Sequence, residues 1–414
     1  MKNLRLFMII IIFFTLTLPQ LQAQMSFRLK SAPADLSVYF NGEMVKPVST
    51  SGTIREYRIS DEGTLRFSSS GYRSIEWLSE QIPVNKAGQA DIKLENEKGV
   101  LKYTGEYKTG SQPKSAYFSP NGQRLFVPLL SEKGIDVFRV TGQSLKYEKR
   151  LEAGNKPGFV EAMFDEHRRE LWVSNMEENK VYIFNLDTLE LKSSYTTGGI
   201  FPKVIVQSPD GALTLVSNWV TKDISVFDSN TKALLRRIPV GGTPRGMAFS
   251  PDGSFVYTAI YDAALVAVVD MTSNTVIKKW RFNEGEGAAR HIIYRDDKLY
   301  VSDMFRGTVN ILSAATGELL KSVRVGPNIN TIVMPPDGRY IFASSRGRNN
   351  TVDYTMPGPD FGAVYMLNAQ DLTVIDKVWG RNQPTGLAVS PDGKLLAFTD
   401  FLDANLELYR IEGR

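Results

Sequence analysis

The sequence predicts an all-β protein: a seven-bladed β-propeller of four-stranded blades, preceded by a small β-sandwich domain. Three observations lead there. A Ser-Pro-Asp-Gly turn recurs at Ser208 to Gly211, Ser250 to Gly253 and Ser390 to Gly393, with variants at Ser119-Pro120-Asn121-Gly122 and Pro335-Pro336-Asp337-Gly338. Each copy lies between two β-rich runs, and internal repetition of this kind marks an array built from one supersecondary unit. The repeat of roughly 40 to 45 residues holds four β-runs and no sustained helical period, which fits a propeller blade better than a helical solenoid.

The first residues have a separate logic. Lys2 and Arg5 precede an apolar run from Leu6 to Phe14 that continues to Leu18, followed by Pro19 and the small Ala23. That order of charge, apolar core and cleavage site predicts a signal peptide over residues 1–23. The run is shorter than the roughly 20 residues that span a bilayer, and no other long apolar stretch follows. The expectation is an exported protein, periplasmic, cell-surface or secreted, that is not an integral membrane protein. The chain of 414 residues has no cysteine, which excludes disulfides, thiolate metal sites and a cysteine nucleophile. Removing Lys2 and Arg5 from the 49 basic residues leaves 47 against 45 acidic ones, so net charge selects no partner class.

Residues 26–98 lack the repeat. Short alternating runs at Ser37 to Phe40, Arg55 to Ile59, Thr64 to Phe67 and Asp91 to Leu94 are separated by Asn41-Gly42, Ser51-Gly52 and Glu62-Gly63. Several short strands joined by such turns predict the sandwich. The pieces Ala32-Pro33-Ala34, Val38-Tyr39-Phe40-Asn41-Gly42, Gly71-Tyr72 and Ile92-Lys93-Leu94 resemble the PEGA domain, with Asp35 and Leu36 departing from its acidic and glycine positions. The resemblance implies a spacer or docking module.

The propeller is expected over residues 99–414. The residues opening each inner strand align as Pro113, Pro157, Pro202, Pro244, Ala289, Ile329 and Pro384. Polarity rises along a blade: Gly246 to Phe249 and Phe255 to Ile260 are nearly continuous apolar runs, whereas Val276 to Arg281 carries cations, which places the fourth strand on the rim. The last unit stops after its third run, so the strand at residues 100–107 is expected to supply its fourth and close the ring. The second strands Trp172-Val173-Ser174-Asn175, Leu215-Val216-Ser217-Asn218 and Tyr300-Val301-Ser302-Asp303, each behind a turn motif, resemble the YVTN β-propeller repeat family of exported proteins. Two units depart: Pro128 interrupts the strand Leu125-Phe126-Val127, and Arg295-Asp296-Asp297-Lys298 replaces the turn. The resemblance implies a fold and a scaffold or recognition role, not a reaction.

The turn aspartates Asp210, Asp252, Asp337 and Asp392 read as backbone caps before glycine. The opposite ends of the strands carry the candidates. In a four-stranded meander, the loop leading into the first strand and the loop between the second and third emerge together. The former present Lys114, Lys203, Arg245 and Arg290; the latter present Trp219, Tyr261, Phe305, Arg306 and Phe401. The sixth unit is longer by about ten residues, and its insertion from Arg346 and Arg348 to Gly362 is placed to act as a lid or specificity loop over the same funnel. These features predict a non-enzymatic binding or scaffold protein recognising an anionic or polar ligand or a cell-envelope protein partner. The alternative is a lactonase-like hydrolase using the same funnel, for which His291 and Glu161 are the catalytic candidates. No motif implies a cofactor or metal, and the near-neutral charge disfavours nucleic acid.

Overall fold

The computed structural model describes residues 24–60 and 62–412. The signal-peptide expectation for residues 1–23 lies outside the described residues. The protein is all-β: nine four-stranded sheets are present among the described residues, two of them built from residues 24–93 and seven from residues 101–411.

The two N-terminal sheets share one core of Phe27, Leu29, Val38, Tyr57, Leu65, Phe67 and Ile92. The strand Gln24–Ala32, which the sequence reading did not single out, is central to the first sheet. It pairs antiparallel with Ile54–Ser60 and parallel with Gln89–Lys93. Its Phe27 and Leu29 alternate inward as a half-buried strand requires. Asn41 and Gly42, both at positive φ, make the tight turn between Ser37–Phe40 and Glu43–Val45.

The remaining seven sheets form a β-propeller. From the second sheet to the seventh, first strands of successive sheets pack side by side, and Pro384–Val389 packs on Tyr117–Phe118 of the first sheet. The seventh sheet takes its outer strand from the start of the array, where Leu101–Lys108 pairs antiparallel with Asn405–Ile411. Apolar cores such as Phe126, Phe159, Val173 and Phe184 lie between neighbouring sheets, and outer strands such as Thr275–Arg281 are largely exposed. The Ser-Pro-Asp-Gly turns have a structural basis: the Asp252 carboxylate accepts from the Ser250 hydroxyl at 2.6 Å and the Ser254 amide at 3.1 Å, and Gly253 takes φ 74°. Those bonds, with a further one from the Ser254 hydroxyl at 2.7 Å, hold the pKa of the Asp252 carboxyl down to about 2.

Two sequence readings need correction. Pro128 does not interrupt its strand, which runs Arg124–Pro128 and ends on the proline, opposite Ile135. The inner strand of the second sheet starts at Phe159 rather than Pro157, because Phe159 pairs with Asn175 as Pro202 pairs with Asn218. The proline there lies in the preceding loop, two residues early.

Candidate functional site

From the second sheet to the seventh, the inner strand carries a bulge near its start. Register shifts occur at Phe159/Ala162, Pro202/Ile205, Pro244/Met247, Ala289/Ile292, Ile329/Ile332 and Pro384/Leu387. Two residues on the inner strand thus face one on its partner, and such bulges re-aim side chains next to binding sites. With the isolated Pro113 to Leu129 pairing for the first sheet, the register aligns two tiers around the axis. The outer tier holds Lys114, Val160, Lys203, Arg245, Arg290, Asn330 and Thr385; the tier one residue further holds Ser115, Glu161, Val204, Gly246, His291, Thr331 and Gly386.

Side-chain hydroxyls fix these bulges from sheet to sheet. Ser217 accepts from the Val204 amide of its own sheet at 3.1 Å and donates to the Arg245 carbonyl of the next sheet at 3.1 Å. Ser174 donates to the Lys203 carbonyl, Ser302 to Asn330, Ser344 to Thr385 and Thr399 to Pro113, all at 2.7 to 3.2 Å. The first sheet has Pro128 at that position, and Ser115 instead donates to the Val160 carbonyl at 2.6 Å. Between the fourth and fifth sheets the position is Ala259, and the bond is replaced by close approach: a Cβ on Gly246 would sit 2.9 Å from the His291 Cα. The backbone carrying the cations is therefore held rigidly.

The loops at this end meet as the meander requires, since the Trp219 amide donates to the Phe201 carbonyl and the Tyr261 amide to the Thr243 carbonyl. Lys203, Arg245, Arg290 and Arg346 are only 4 to 8% exposed. Their charges act on one another. Burial, followed by Arg290, Arg346, Arg245 and Lys203, pulls the Lys114 ammonium well below the ordinary lysine range. Burial and then Arg245 do the same to Lys203. Arg290 is lowered in the same direction by burial and Arg245, and burial brings Arg346 down to about 10. Among the described residues, the carboxylate paired with any of these five cations is Glu161, at 3.3 Å from Arg245 Nη2.

Aromatic rings back the cations. Lys203 lies 4.9 Å from the Trp219 ring, Lys114 lies 4.8 Å from Phe401, and Arg346 lies over both Phe401 and Tyr354. Trp219 and Tyr261 meet edge to face at 5.4 Å. Arg346 also donates to Gln383, whose amide reaches the Tyr354 carbonyl. Several buried polar atoms here have no partner: Arg245 Nη1, Arg346 Nε, Trp219 Nε1, His291 Nδ1 and both amide atoms of Asn330.

Not every sequence candidate joins this cluster. Arg306 donates to the backbone carbonyls of Glu284 and Glu286 and so closes its own loop. Phe305 is 62% exposed on that loop. Arg348 is exposed on the insertion and pairs with Asp360. Asn330, Gln383 and Tyr354 were not singled out in the sequence. Asn330 follows Ile329 as Arg245 follows Pro244.

Beneath the cations, an axial cavity of about 290 Å³ is lined by Ser115, Tyr117, Glu161, His291, Thr331 and apolar residues of the inner strands. Glu161 and His291 share its wall, yet the polar partners of Glu161 are the Tyr117 hydroxyl at 2.7 Å and Arg245. Burial pushes the His291 imidazole down to about 4. No cluster of three metal-ligating side chains exists among the described residues, and no helix there is long and apolar enough to cross a membrane.

The YNCE-like β-propeller family matches residues 90–252. Antigen Lp49 of Leptospira interrogans serogroup Icterohaemorrhagiae serovar copenhageni is 34% identical over 384 residues, spanning 90% of this chain and 81% of the antigen. Among solved structures, Kuenenia stuttgartiensis hydrazine synthase superposes with a TM-score of 0.62 at 18% identity over 74% of this chain and 98% of that chain, a likeness of fold alone. The chain belongs to one family with antigen Lp49, and its match to the YNCE-like model agrees with a β-propeller repeat family.

Proposed function

We propose that this is an exported, non-enzymatic binding protein whose propeller funnel takes an anionic ligand through Lys114, Lys203, Arg245, Arg290 and Arg346. One observation carries the reading: converging buried cations outnumber the single carboxylate paired with them, and buried N–H donors of Arg245, Arg346 and Trp219 among them have no acceptor. A buried donor left unpaired costs about 1–3 kcal/mol, and a charge-assisted bond to an anion recovers that while relieving mutual repulsion. The signal-peptide pattern of residues 1–23 and the name of the Leptospira relative, an antigen, support a place at the cell surface or in the envelope. The resemblance to YVTN propellers and a PEGA-like sandwich supports a scaffold whose N-terminal domain docks the propeller there.

The test is calorimetric titration with sulfate and glutarate at several salt concentrations. Saturable binding is expected, weakened at least tenfold in Arg245→Ala/Arg290→Ala and with a shallower salt dependence. Equal affinity in the double variant would sink the assignment. The hydrolase alternative has less support, because Glu161 engages Tyr117 and Arg245 instead of orienting His291.

A further inference from the structure

We infer that the partner gripped at this mouth is an extended acidic segment of a polypeptide, one carboxylate side chain entering the cationic ring while apolar neighbours lie on the surrounding rim. The inference rests on the anion-binding reading above and names the class of anion.

The ring already shows what it accepts. Glu161 places a carboxylate oxygen 3.3 Å from Arg245 Nη2, and Nη1 of the same guanidinium is left without an acceptor. A second carboxylate approaching from the mouth supplies the acceptor that Nη1 lacks, in a charge-assisted bond.

The depth of the ring selects the shape of the partner. Its arginines and Lys203 are 4 to 8% exposed, whereas Val220 is 53%, Phe305 62%, Tyr354 56% and Val352 88% exposed. These four come from loops at the same end of the third, fifth and sixth propeller sheets. Val352 is the most exposed large apolar side chain among the described residues. An anion must therefore pass these exposed apolar side chains to reach the cations. A phosphate in a lipid headgroup layer or along a nucleic-acid strand is flanked by its neighbours and is held back at the rim, where Arg348 is already paired with Asp360. A carboxylate on a short flexible side chain projects far enough. A small free anion would also reach the ring but would leave the rim without a role.

The rim is built, not loose. Within the insertion the Asn350 side chain donates to the Pro357 carbonyl and accepts from the Val352 amide, and Arg348 pairs with Asp360. The N-terminal sandwich holds its far end: Lys30 donates to the Gly358 carbonyl at 3.1 Å and Thr53 to Pro359. Apolar side chains displayed on a braced loop beside unpaired buried donors fit a partner that is apolar and anionic by turns. An extended chain alternates its side chains in this way.

The experiment selects a displayed library of random heptapeptides on the full chain and measures the selected peptides by fluorescence anisotropy. Enriched sequences are expected to carry Asp or Glu beside aliphatic or aromatic residues. Exchanging that acid for its amide should weaken binding at least tenfold. Val352→Ser/Met356→Ser, the second on the same insertion and 48% exposed, should weaken the peptide at least fivefold and leave sulfate binding unchanged. Arg245→Ala/Arg290→Ala should weaken both at least tenfold. The inference is overturned by selection without acidic residues, by no enrichment over the arginine double variant, by a rim variant that binds peptide normally, or by rim-dependent binding of phosphatidylglycerol vesicles or oligo-dT in place of peptide. Sulfate binding without peptide selection removes this inference alone; absence of sulfate binding removes the anion-binding reading beneath it.

Discussion

Burial holds the His291 imidazole uncharged, with its pKa pushed down to about 4; Glu161 opposes that shift and Arg290 and Arg245 add to it. An unfolded histidine takes up its proton near 6.5, so between these values the unfolded chain binds more protons than the folded one. The stabilisation is fully present above pH 6.5 and is lost as the pH falls through about 4. It amounts to about 3 kcal/mol. Denaturant midpoints of wild type and His291→Gln, measured from pH 4 to 7.5, should converge as the medium becomes acidic if the histidine is the source; parallel curves would exclude it. At this scale Arg245 and Arg290 were legible because each follows an aligned strand start. Asn330 was not, since Ile329 in place of proline weakens the signal and an uncharged amide attracts no notice until its burial without partners is seen. Glu161 was legible as an acid near one opening, but its alignment with His291 depends on the bulge register, and the register of the second sheet contradicts the Pro157 alignment.

The repeated turn and the apolar gradient from first to fourth strand made the sheets readable, because turn chemistry and period-2 alternation are local properties of the chain. The hydroxyl seam was not readable. Ser217 sits in a strand motif and looks like an ordinary buried serine, and its meaning depends on the Arg245 carbonyl 28 residues on in the next sheet. The seam makes each bulge answerable to its neighbour, so the cations are fixed by six hydroxyl contacts around the ring and one glycine contact. Ser217→Ala leaves the Val204 amide and the Arg245 carbonyl without this partner and should cost about 1–3 kcal/mol in thermal or chemical denaturation. The converse change, Ala259→Ser, supplies the missing hydroxyl beside the Arg290 strand and should raise stability by about 0.5–1.5 kcal/mol. If Ala259→Ser destabilises while Ser217→Ala is neutral, the hydroxyls are not what binds the sheets together.

Across the whole molecule, the N-terminal sandwich reaches the funnel insertion through the buried Lys30 and through Thr53. Lys30, 4% exposed, donates to the Asn382 side-chain amide oxygen at 2.6 Å and lies 4.4 Å from the Phe361 ring. Its ammonium is pulled below the ordinary lysine range by burial, although Asp91, Asp403 and Asp360 draw it back. Asn382 is fixed in turn by Asp403, and the adjacent Gln383 holds both Arg346 and Tyr354. A continuous set of contacts thus links Lys30, the loop leading into the seventh sheet, the insertion and a funnel cation. Lys30→Ala removes the first link and should loosen residues 346–362 without unfolding the sheets. Arg346 and Arg348 make that segment a substrate for trypsin once it opens, and cleavage of local openings follows their population. Under native conditions, N-terminal sequencing of the fragments should show cutting after these arginines at least tenfold faster in Lys30→Ala than in wild type, with Lys30→Arg intermediate. Unchanged cutting, or cutting spread equally through the outer strands, would mean that the insertion holds its place without the sandwich.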